Sequence, residues 1–173
     1  MAYYYLISSL PMLKSDGDMP LSYDKFLDTC RNALGEDKCR FLEELTISAD
    51  KGPLASEWAK FYGTLHEELT YQRNIRLGRK AKAPDMKDDG IAKTVTAALN
   101  SKNPLEAEKM LLDMEFKKLD ELVGTHYFDD HALVGYALKL KLLERKTSFD
   151  GEKGKAEFSR IVDRLEREIT SME

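Results

Sequence analysis

The run His126-Tyr127-Phe128-Asp129-Asp130-His131 sets two imidazoles and two carboxylates close together in the chain, and such nitrogens and oxygens are a donor set for a transition metal. The same residues have a purely structural reading. Asp129 and Asp130 suit the start of a helix, Phe128 would plug the core just ahead of it, and both histidines would face water. Spacing favours the second reading, because histidines five positions apart on a helix do not share a face. No metal ligand is therefore assigned, and an enzyme using a metal held at 126–131 is kept as an alternative.

Other motifs fail on a named residue. His66-Glu67-Glu68-Leu69-Thr70 opens like the zinc-protease H-E-x-x-H, but Thr70 stands where the second histidine must share the helix face. Gly63, Val123 and Phe128 lie three positions ahead of the three histidines, which excludes a di-iron bundle built from Glu-x-x-His pairs. Neither G-x-x-x-x-G-K-[ST] nor G-x-G-x-x-G occurs, so the common phosphate cradles are missing. Cys30 and Cys39 are too far apart for a C-x-x-C pair and too few for a disulfide scaffold, and read as half-buried thiols in a reducing cytosol. The expectation is a protein with no catalytic residue and no cofactor, hence not an enzyme.

Charge is distributed unevenly. The 173 residues carry a net charge of −4, which argues against a general nucleic-acid binder. Residues 71–93 hold seven cations against three aspartates, a net of +4, whereas residues 103–130 hold eight acids against three lysines, a net of −5. Arg73, Arg76 and Arg79 recur every third residue, and with Lys80 they form a candidate partner-binding patch for an acidic protein surface. A solvated helix end, whose dipole favours cations, is the alternative for the same residues.

The elements that position these groups are helical. There are 24 Leu against 10 Val plus Ile, and 34% of residues are charged, a balance that favours helix over strand. The sequence predicts an all-α bundle of about six to seven helices in a single domain over 1–173, with an irregular connection at 78–103. The first ten residues read as helical turns. Ser22 caps a helix that Gly35 stops, and a short helix follows over 36–47. A long one runs from Pro53 to about Arg79 with Leu54, Trp58, Phe61, Tyr62, Leu65, Leu69 and Ile75 on one stripe. A short helix over 91–99 sits inside the irregular connection. Asn103, Pro104 and Glu106 form a capping box for a helix over 104–123, whose apolar residues cover more than one face. The next helix, 129–145, is apolar nearly all round, as at the centre of a bundle, and Gly135 within it implies close approach of a neighbour. Finally Phe158, Ile161, Val162, Leu165, Ile169 and Met172 trace a narrow seam, which leaves a homo-oligomer through this C-terminal helix open. No apolar run is long enough to span a bilayer, and residues 1–10 lack the positive flank of a secretion signal.

Three stretches resemble a known family. They are Tyr3-Tyr4-Tyr5-Leu6-Ile7-Ser8-Ser9-Leu10-Pro11, then Leu21-Ser22-Tyr23-Asp24-Lys25-Phe26-Leu27, and Asn103-Pro104-Leu105-Glu106-Ala107-Glu108-Lys109 continuing through Phe128-Asp129-Asp130-His131-Ala132-Leu133-Val134-Gly135-Tyr136 to Glu144-Arg145. Together they are similar to an uncharacterised bacterial family encoded among the subunits of V-type (A/V-type) rotary ATPases, where the C-type stalk protein, the counterpart of the eukaryotic d-type, would stand. The resemblance covers most of 1–34 and 103–145. It implies a non-catalytic structural and coupling subunit that links the central stalk to the membrane ring. Its partners would be those stalk and ring proteins, with no nucleic acid and no transmembrane span. Its place would be the cytoplasm, peripheral to the membrane through the ATPase complex. A transient assembly or regulatory factor of the same ATPase is the alternative.

Overall fold

The computed structural model describes residues 2–52, 54–147, 157 and 159–164. Among them the chain is all-α, with no strand. The helices are α1 (Ala2–Ser9), α2 (Tyr23–Leu34), α3 (Glu36–Glu44), α4 (Ala55–Arg76), α5 (Asp89–Asn100), α6 (Pro104–Val123) and α7 (Asp130–Thr147). A further helical stretch covers 159–164.

Local chemistry explains most boundaries. The Ser22 hydroxyl accepts from the Lys25 N–H to open α2, and Gly35 at φ 87° closes it in a conformation that favours glycine. Asn103 opens α6 by accepting from the Leu105 N–H at 3.0 Å, with Pro104 at the first helical position. The expected capping box forms differently: the Asn103 N–H donates to the Ser101 hydroxyl, and Ser101, not Asn103, meets Glu106. Asp129 opens α7, its carboxylate accepting from the Ala132 N–H at 3.1 Å.

The long helix is shorter than its pattern implies. α4 starts at Ala55, after Leu54 in the left-handed region at φ 61°, and stops at Arg76 ahead of Leu77 and Gly78. Pro53 lies outside the described residues. Ile75 is exposed, because six residues beyond Leu69 it stands roughly 240° round the axis. The irregular connection holds one regular element, α5, which runs over twelve residues from an Asp88 cap.

Two apolar clusters hold the helices together. The larger gathers Leu6, Phe26, Cys30, Leu42, Trp58, Leu112, Phe116 and Leu119 around α7, whose Leu138, Leu140, Leu142 and Leu143 are almost fully buried. Burying each such leucine contributes about 1.5–3 kcal/mol. The smaller joins Leu65 and Leu69 of α4, Ile91, Val95 and Ala98 of α5, and Leu111 of α6. α6 therefore serves both clusters, as its two apolar faces imply. α7 keeps Lys139 and Lys141 by turning their ammonium groups to the rim, the second lying 3.7 Å from the Tyr23 ring centre. Gly135 is where α6 and α7 meet, since a Cβ there would overlap the Val123 side chain.

The loop between α1 and α2 is pinned to α7. The Tyr136 hydroxyl donates to the Pro11 carbonyl at 2.9 Å, and the Lys146 ammonium donates to the carbonyls of Ser15 and Gly17 at 3.1 and 3.0 Å. Of the C-terminal seam, Ile161 is exposed and Val162 half-buried, while Phe158, Leu165, Ile169 and Met172 lie outside the described residues.

Candidate functional site

Gly124, at φ 52°, ends α6, and the His126 N–H donates back to the Val123 carbonyl at 2.9 Å. The chain thus reverses before α7 begins, and His126 stands on the turn rather than on the helix. The spacing rule for helical neighbours does not govern it. Its ring stacks on that of His131 with centroids 4.4 Å apart and planes 16° apart. His126 Nδ1 is hydrogen-bonded to Asp129 Oδ2, while Asp129 Oδ1 caps the Ala132 amide. One nitrogen from each histidine and one Asp129 oxygen all lie within 4.8 Å of one another. Burial works to raise the Asp129 pKa, but the bonds from His126 and the Ala132 amide outweigh it and hold the carboxyl below its usual range.

The surroundings of this cluster are aromatic. The Tyr3 hydroxyl donates to Asp130, and partial burial followed by that carboxylate pushes the phenol up to about 12. Phe128 does not plug the core. It is half-exposed and packs on Tyr4 at 4.7 Å between ring centres, because Leu133 and Val134 already occupy the interior at this end of α7. Tyr5 and Tyr127 are also exposed, their rings 5.7 Å from Tyr4 and 6.5 Å from Phe128 between centres.

The cationic patch separates into two parts. Arg76 points across to α5, donating to the Leu99 carbonyl and the Asn100 side chain. Its bond to the Leu99 carbonyl satisfies a group that the end of α5 leaves without an intrahelical partner. Arg73 on α4, and Arg79 and Lys80 beyond its end, are exposed. The Arg79 backbone folds back on Asn74 at 2.9 Å, and Lys82 pairs with Asp85 at 2.5 Å.

A buried ionic network escaped sequence reasoning. Arg145 donates to both oxygens of Glu115, at 3.1 and 2.8 Å, to Glu108 at 3.1 Å and to the Tyr62 hydroxyl at 3.4 Å. Glu115 is 2% exposed. Burial pushes its carboxyl upward against the opposing pull of Arg145. Burial also disfavours the Arg145 charge, and Glu115 and Glu108 more than reverse that. Tyr62 in turn meets the edge of His66 at 4.4 Å. The acidic count over 103–130 therefore overstates the surface charge of α6. The available signal was Glu115 itself, four residues from both Leu111 and Leu119 on an apolar stripe.

An open groove also runs between α5 and α6, lined by Ile91, Thr94, Met110, Met114 and Lys117 among others. No helix among the described residues is long and apolar enough to cross a membrane. A family model described as a protein of unknown function (DUF2764) matches residues 92–169, from within α5 through α6 and α7 and beyond. No curated protein and no solved structure matches the chain. The family match includes the His126, Asp129 and His131 cluster and both helices that frame it.

Proposed function

We propose that the chain is a non-catalytic structural and coupling subunit of a bacterial V-type rotary ATPase, linking the central stalk to the membrane ring in the manner of the C/d-type stalk protein. The observation that carries this reading is where the resembling stretches lie. Residues 1–34 and 103–145 supply α1, α2, α6 and α7, which share the larger apolar cluster. Tyr3 bonds to Asp130, Tyr136 bonds to Pro11, and the Phe26 and Tyr136 rings lie 5.4 Å apart, so the stretches are joined in space. They thus resemble the ATPase-associated family as one packed body.

A part that transmits torque must resist shear between its helices. The network of Arg145 with Glu115, Glu108 and Tyr62 ties α7 to α6 and α4, which supports such a role. The exposed Arg73, Arg79 and Lys80 suit docking to an acidic protein surface, and the protein would sit at the cytoplasmic face of the membrane through its ATPase partners. Deletion of the gene tests the coupling role. Membrane vesicles from the deletion strain should hydrolyse ATP while losing most ATP-driven ion transport, and restoring the protein should restore transport. Unchanged coupled transport in the deletion strain would contradict the proposal.

A further inference from the structure

We propose that His126, Asp129 and His131 form a divalent transition-metal site, of the kind that takes Zn²⁺, with at least one coordination position open to solvent. This goes beyond the coupling role and stands independently of it. Two imidazole nitrogens and one carboxylate oxygen make a three-ligand set known for zinc, with water or another donor in the fourth place. All three donor atoms lie within 4.8 Å of one another. Zinc bonds of about 2.0–2.1 Å in a tetrahedron need donors roughly 3.3 Å apart, so the side chains must close modestly around the ion. They have room to do so, since His126 is exposed and His131 and Asp129 are only half-buried.

The support behind the ligands is already in place. Asp129 Oδ1 is held by the Ala132 amide, which fixes the carboxylate and aims Oδ2 at His126 Nδ1. Such an outer hydrogen bond orients a ligand before the metal arrives. Asp130, the next carboxylate, is engaged by the Tyr3 hydroxyl and is not counted among the ligands. The turn at Gly124 carries His126, and the first turn of α7 carries His131, so a bound ion would cross-link the α6–α7 junction. A d¹⁰ ion without strong geometric preference fits an exposed set of this kind.

The test uses full-length protein freed of any affinity tag. Zn²⁺ is titrated calorimetrically while the imidazole signals of all three histidines are followed by NMR. The expected result is one zinc per chain, with His126 and His131 signals moving and those of His66 unmoved. His126→Ala, His131→Ala and Asp129→Asn should each weaken binding by at least about tenfold, the scale on which even outer-shell partners act. Asn keeps the capping oxygen, so the Asp129 variant remains a folded control. Binding as strong as wild type in all three variants, or zinc that shifts His66 as much as the other two, would overturn the site. So would a wild-type protein that takes up no stoichiometric zinc.

Discussion

Glu115 and Arg145 are the residues whose roles depend most on the surrounding structure. Removing one partner of a buried ion pair leaves an unpaired charge in the interior, and Arg145→Met should destabilise the protein by about 3 kcal/mol or more. Adding Glu115→Leu to that variant should recover much of the loss, because the site then becomes apolar and Glu108 reaches water. Denaturant unfolding of the single and double variants measures both. His66 carries a pH dependence. Loss of hydration and the charges of Arg145 and Arg73 lower its pKa from the ordinary 6.5, against a smaller opposing effect of Glu108. The folded protein thus resists protonating it, so its contribution to stability is present above about pH 6.5 and lost as pH falls through the lower folded value. His66→Gln should lose less stability than wild type between pH 7 and pH 5.5; an identical loss would exclude His66 as a source of acid sensitivity. At this scale the sequence was a partial guide. Ser22, Gly35 and Asn103 announce their caps, but Glu115 and Arg145 look like surface charges until α6 and α7 are packed together.

Elements were more legible than residues because apolar periodicity survives packing. The start of α6, the buried stripe of α7 and the close approach at Gly135 all follow from residue type and spacing. The two ends of α4 and the turn at 124–129 do not, since they depend on backbone conformations at Leu54, Gly78 and Gly124. That turn is why His126 and His131 meet despite a spacing that separates residues on a helix. Gly135→Ala gains helix propensity of roughly 1 kcal/mol but meets Val123, and overpacking of this kind costs about 1–3 kcal/mol. The variant should be less stable than wild type, and Val123→Ala in the same chain should relieve it. Thermal unfolding of both chains checks the pair. Arg76→Ala removes the bonds to Leu99 and Asn100, and should speed amide exchange in the last turn of α5 without changing exchange in α2.

At the largest scale the bigger apolar cluster is organised around α7, which packs on α2 and α6 and holds the loop after α1, while α6 carries the smaller cluster as well. Leu140→Asp would place an unpaired charge at the centre of the larger cluster and should cost about 3 kcal/mol or more, seen as a lowered melting temperature. The coupling role requires this body to remain seated in a much larger assembly. Its most direct measurement is gentle-detergent purification of the tagged protein from its native membranes, with every co-purifying protein quantified at low and moderate salt. The coupling role predicts V-type ATPase stalk and ring proteins at about one copy of this protein per complex, retained at moderate salt. Recovery of the protein alone would contradict it, and a small fraction of a copy per complex would make it a transient factor instead of a permanent part.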